Sequence, residues 1–175
     1  MIPSRLLFKT APALLGVLLL LPACSDDAGG GEGDETGGPV SDVPTEAVPL
    51  QSFLDGGNYS DFAAESAVHG STNGSPHGNV RVFLNDTLDG SLANGNETHP
   101  IGSAAVKELY DADEVTLIGW AVSVKIADES EGGNGWYWYE YLNDEVVADE
   151  VGAGTCIGCH FASGTDMVAV NYPLE

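Results

Sequence analysis

The chain has 175 residues, of which 27 are acidic and 5 basic, giving a formal net charge of -22 at pH 7. That balance argues against nucleic acid and anionic lipid headgroups as electrostatic partners. It suits a basic redox partner, a high-salt habitat, or solubility alone.

The N-terminus reads as a targeting segment. Arg5 and Lys9 accompany an apolar run from Ala11 to Leu21, too short for an ordinary spanning helix. Leu21-Pro22-Ala23-Cys24 resembles the bacterial lipobox. In that pattern residues 1–23 are removed and Cys24 becomes the lipidated first residue, anchoring the protein to a membrane surface. The alternative is an ordinary secretory signal with a chance cysteine. Ser25 follows Cys24, with Asp only at the next position, an order that permits passage to an outer membrane and a periplasm-facing location. Residues 24–49 then read as a tether. Ser25 to Pro49 is acidic and glycine-rich without one basic residue, and it lacks the apolar surface needed to pack. As a flexible coil its ends lie roughly 25–30 Å apart.

Residues 50–175 are expected to form one domain with one modest core. A helix is expected over Ser60 to Val68, with Gly56-Gly57 interrupting the apolar pattern before it. His69 to Gly78 is turn-rich. The period then changes to two. Val80, Val82 and Leu84 alternate with Arg81 and Phe83, and Asn85 to Asn96 reads as loop or hairpin. Ser103 to Tyr110, Glu114 to Ala127 and the aromatic run Trp136 to Leu142 read as strands. In the second of these, Trp120, Val122 and Val124 share one face; Ala121, Ser123 and Lys125 share the other. Glu129 to Gly135 is a turn, and Asp144 to Gly154 leads into the last motif. Strands that follow one another without long crossovers favour an antiparallel sheet.

That last motif is Cys156-Ile157-Gly158-Cys159-His160. C-x-x-C-H is the attachment pattern of a c-type haem. One helical turn separates the thiols, so each can bond a different vinyl group of one porphyrin. His160 is then placed to offer a ring nitrogen to the iron. A zinc site wants four ligands, and the chain has no second cysteine pair. A redox disulfide is expected beside a βαβ pattern, which is not evident here. With Cys24 on lipid and Cys156 and Cys159 on haem, no thiol remains for a structural disulfide.

Small electron-carrier cytochromes place this motif early and are helical. Four-helix cytochromes place it late but need long helices. A sheet-rich domain with the motif near its end resembles the cytochrome P-460 family and the related cytochrome c-prime-beta proteins. The matching stretches run from about Asn79 to Leu174. They are Asn79-Val80-Arg81-Val82, His99-Pro100-Ile101-Gly102-Ser103, Val106-Lys107-Glu108-Leu109, Val124-Lys125, Trp136-Tyr137-Trp138, Cys156 to His160, Asp166-Met167-Val168 and Tyr172-Pro173. The resemblance implies an α+β fold, mainly an antiparallel sheet with flanking helices, usually as a homodimer. It implies thioethers at Cys156 and Cys159 and His160 as proximal iron ligand. In the P-460 branch a lysine also bonds the porphyrin edge, and the match places it at Lys107. That branch oxidises hydroxylamine at an open distal position. The c-prime-beta branch lacks the lysine and binds nitric oxide or carbon monoxide. A third reading is a plain electron carrier with six-coordinate iron. The P-460 enzymes also carry a distal carboxylate, where this chain has Ala121 or Trp120, and the distal phenylalanine has no clear match.

Lys107 has independent weight. It lies within an apolar strand, on the face of Ala105 and Leu109, so it must be paired or neutral through desolvation. The alternative is a lysine reaching solvent or pairing with Glu108. Lys125 reads as structural. His77 is a distal acid-base or iron-ligand candidate, against an exposed loop histidine; His69 and His99 carry less weight. Met167 reads as packing or haem-edge contact. The aromatic strand reads as sheet core before haem wall or dimer face.

Overall fold

The computed structural model describes residues 41–71, 75–129, 131–162 and 164–175, all within one compact unit. The expected leader, Cys24 and most of the tether lie outside the described residues. Packed chain begins upstream of the expected position 50. Val43 is buried in the core, and α1 spans Ala47–Asp55.

The glycines at 56 and 57 end this helix. Gly57 has φ 62°, its N–H donates to Leu54 O, and Asn58 N–H donates to Phe53 O at 3.1 Å. These two bonds close a helix C-terminus around a left-handed glycine. The helix expected over Ser60 to Val68 is therefore not formed. Those residues make turns and the two-residue strand β1 (Ala63–Ala64), and β2 (His69–Gly70) follows directly. The stop signal lies at the end of a helix rather than before one.

The sheet has seven strands in the order β1-β3-β4-β5-β6-β7, with β2 also pairing β3, and every pairing is antiparallel. The long strands are β3 (Asn79–Leu84), β4 (Ala104–Tyr110), β5 (Leu117–Lys125), β6 (Trp136–Leu142) and β7 (Glu145–Val151). β3 to β6 fall where the alternating sequence puts them. β7 replaces the expected lead-in: Asn143 (φ 51°) and Asp144 (φ 66°) form a tight turn that folds it back on β6.

Asn85 to Asn96 is also different from expectation, because Asp86–Ala93 forms α2. Its N-cap Asn85 accepts from Leu88 N–H at 3.0 Å and from Ala104 N–H at 2.9 Å, and donates to Gly102 O at 2.8 Å. One side chain thus starts the helix and ties it to β4.

α1 covers one face of the sheet over Phe83, Val106, Val122 and Tyr139. Tyr59 Oη donates to Glu108 and accepts from Trp120 Nε1, both at 2.8 Å, so this face is sealed by a polar network. The other face carries α2, the chain from Met167 to Leu174, and α3 (Gly154–His160). The architecture is α+β, a mainly antiparallel sheet with three helices. Among the described residues no helix is long and apolar enough to cross a membrane.

Candidate functional site

Strand geometry builds the first wall. Side chains alternate across the sheet, and the register places Val82, Lys107, Ala121 and Glu140 side by side across β3 to β6. Ala105, Ser123 and Trp138 form the next row. Opposite them stand Cys156, Cys159 and His160 of α3. Together these rows and α3 enclose a cavity of about 810 Å³, within the range of cofactor pockets.

α3 has seven residues, too few to persist alone. It is held by buried Ala153 and by Ile157, which packs so tightly on the preceding turn that a Cβ at Gly133 would meet it at 2.5 Å. The helix puts Cys156 and Cys159 at i, i+3 and Cys156 and His160 at i, i+4, one shared face.

His160 Nδ1 donates to the carbonyl of Met167 at 2.7 Å. That bond fixes the tautomer and leaves Nε2 with its lone pair, the arrangement used by metal-ligating histidines. Burial holds the imidazole below the ordinary histidine range, and Lys107 adds to this against the Met167 bond. The ring meets Trp138 edge-on with centroids 4.6 Å apart. Burial pushes the Cys156 thiol up to about 11, with Glu140 and Glu150 adding to it. It is therefore a thiol at neutral pH, unlike the depressed thiolates of redox C-x-x-C motifs. Among the described residues no group of three or more His, Cys, Asp and Glu side chains could hold a bare metal ion.

The loop after α3 is shaped to deliver that carbonyl. Asp166 (φ 47°) and Met167 (φ 70°) are left-handed non-glycine residues, a costly conformation outside special sites. Gly164 (φ 80°) begins the turn, where a Cβ would come within 1.8 Å of Val168 O. Asp166 accepts from His99 N–H at 2.8 Å and pairs with the fully buried Lys125. Lys125 and His99 are thus parts of the core that hold this loop. Met167 packs there as well, its side chain buried.

Lys107 projects into the cavity and does not pair with Glu108. Adjacent residues face opposite ways, and Glu108 is engaged by Tyr59 and Tyr110 on the α1 side. Lys107 Nζ lies 3.4 Å from His77 Nδ1, and His77 Nε2 lies 3.8 Å from Glu140 Oε2. Burial lowers the Lys107 pKa, opposed by Glu65 and Glu140. Burial, Lys107 and His160 bring His77 down to about 4, and burial raises Glu140. The His77 side chain is only 13% exposed and turns inward, against the expectation of an exposed loop histidine. His69 stays at the rim, 3.0 Å from Glu65. Glu140 escaped the sequence reading; its one signal is a lone acid inside the aromatic strand.

The aromatic strand divides as alternation requires. Tyr139 Oη donates to Gln51 of α1 at 2.7 Å, and Tyr141 stacks on Trp120. Trp136 is core and Trp138 lines the cavity. The Trp138 indole N–H is buried with no partner among the described residues, a group that ordinarily finds an acceptor.

His77 gives a stability prediction for the domain without any bound group. Its folded pKa lies below its unfolded value near 6.5. The unfolded chain therefore binds the extra proton between those values, and stability falls as pH drops from about 6.5 toward about 4. The His77 contribution has a limiting slope of about 1.4 kcal/mol per pH unit. Urea titrations of wild type and His77→Gln should show a steeper loss in wild type; parallel curves would contradict the assignment.

No family model matches this chain, and no curated protein matches it.

Proposed function

We propose that the cavity holds one haem, joined to Cys156 and Cys159 by thioethers and ligated by His160 Nε2, in a domain of the cytochrome P-460 type. The observation that carries the reading is the His160 N–H bond to the Met167 carbonyl. It orients the histidine of a C-x-x-C-H motif toward a cavity that both cysteines line. The thiol state of Cys156 suits addition of S–H across a vinyl group. The unpartnered Trp138 N–H and the cavity volume fit a planar group with polar edges.

A haem supplies an iron that changes oxidation state and takes a small ligand on its open side. On this reading the activity is redox chemistry on a small nitrogen species, hydroxylamine or nitric oxide. Lys107 is the candidate for a bond to the porphyrin edge. Its nitrogen reaches the cavity, and burial favours the neutral amine that such a bond requires. The chain acts as a lipoprotein anchored through Cys24, facing the periplasm from the outer membrane, and as a homodimer. Ala121, on the wall where the family enzymes carry a carboxylate, favours a second reading as a nitric oxide binder of the c-prime-beta kind.

Optical spectra test the cross-link. The ferrous protein is expected to absorb far to the red of an ordinary c-type haem, and Lys107→Ala is expected to abolish that band. A spectrum unaffected by the substitution contradicts the cross-link. A normal c-type spectrum with carbon monoxide binding favours the gas binder.

A further inference from the structure

A second pocket, of about 330 Å³, lies between Asn79, Asp111, Leu142 and their neighbours. It shares Pro76, His77 and Glu140 with the inner cavity. One thin wall therefore divides the inner cavity from a pocket at the ends of β3, β4 and β6, and two of its members, His77 and Glu140, face each other at 3.8 Å. We propose that Glu140 carries protons across this wall, from a molecule in the inner cavity to solvent in the outer pocket, with His77 as its positioning residue. The inference rests on the haem reading of the inner cavity.

The step needs no oxidant. A bound molecule H–X gives its proton to a Glu140 carboxylate oxygen and keeps the electron pair. The Glu140 carboxyl then releases that proton on its other side, and the carboxylate is restored. Lys107 is placed to donate to His77 Nδ1, which leaves the His77 proton on Nε2, toward Glu140. At 3.8 Å that contact steers the carboxylate without locking it. Among the described residues lining the two pockets, the other ionisable groups are Lys107 and Tyr110 on β4, Asp111 just after it, Tyr139 on β6, Cys156, Cys159 and His160 on α3, and Glu65 and His69 on the β1–β2 segment. Burial opposes a charge on His77 and raises Glu140 above the ordinary carboxylate range.

Cyanide and carbon monoxide separate proton transfer from access. Hydrogen cyanide must lose its proton to bind ferric haem, whereas carbon monoxide binds ferrous haem without losing one. In stopped-flow measurements on the haem-loaded full chain, Glu140→Gln should slow cyanide association about tenfold or more. It should also remove one limb of the pH profile, with carbon monoxide association unchanged. His77→Gln should slow cyanide less. Ala112 lies on an exposed turn at the outer pocket, and Ala112→Trp should slow cyanide alone by closing the exit. Equal cyanide rates in all variants overturn the proton passage, and so does equal slowing of both ligands. Haem bound with cyanide rates insensitive to these changes sinks this inference alone; a chain that binds no haem sinks the haem reading with it.

Discussion

In a Lys107→Ala background, which removes the candidate third bond to the porphyrin, changing Cys156 and Cys159 together to serine is expected to move all of the haem into the organic phase on acid-acetone extraction. Each single change leaves one thioether and keeps the colour with the protein. The two sulfurs sit one helical turn apart on a helix whose position is fixed by Ala153 and by the Ile157–Gly133 contact. Neither thiol has to search for its vinyl group. His160→Gly should behave differently: the haem stays attached, while the axial bond is lost and returns on adding imidazole. Pyridine haemochrome assays on extracted protein and supernatant measure the first result, and ligand-field bands the second. Colour that leaves with both cysteines intact contradicts the assignment.

Lys125→Met is expected to destabilise the domain by about 3–5 kcal/mol, since it leaves Asp166 buried without its cation. Lys125 is fully buried, and the Asp166 side chain is 5% exposed. The pair joins the end of β5 to the left-handed turn that carries Met167. Losing it frees the Met167 carbonyl from His160 as well as costing charge compensation. Guanidinium unfolding should therefore show the loss, and resonance Raman of the ferrous protein should show a weaker iron–histidine stretch. Lys125→Met combined with Asp166→Asn, which keeps an acceptor for His99 N–H and tolerates the left-handed backbone, should recover part of the stability and none of the Raman shift. Equal stability in the single variant contradicts the ion-pair account.

The long strands were legible because each buries one face, and a period of two in β3, β5 and β6 reports that directly. What the pattern could not give was the two ends of the sheet. β7 is almost wholly exposed and shows no apolar alternation, so its pairing rests on the Asn143-Asp144 turn, a weaker signal than alternation. α2 carries Gly90 and two aspartates in eight residues, a composition that reads as turn. Its real mark was Asn85, a capping residue at the head of a short apolar pattern. α1 was displaced in the reading for the same kind of reason: Gly56-Gly57 is a stop, and a stop belongs to whatever precedes it.

The candidate site divides along similar lines. Cys156, Cys159, His160 and Lys107 could be named from local motifs and matched segments. Their convergence on one cavity depends on β4 and α3 facing each other across the same side of the sheet, which no local pattern states. Glu140 needed the register, because Ala121 and Glu140 are direct partners only once β5 and β6 are paired. His77 needed the fold of a loop rich in Gly, Ser and Pro, where exposure is the ordinary expectation.

Mass spectrometry of the intact chain, purified from a host that matures c-type cytochromes, tests the central claim most directly. The account predicts a mass increased by one haem after denaturation and organic extraction. Proteolysis should confine that increment to the peptide bearing Cys156, Cys159 and His160, alone or joined to the peptide bearing Lys107. An unmodified mass, with both thiols alkylated by iodoacetamide, would contradict it.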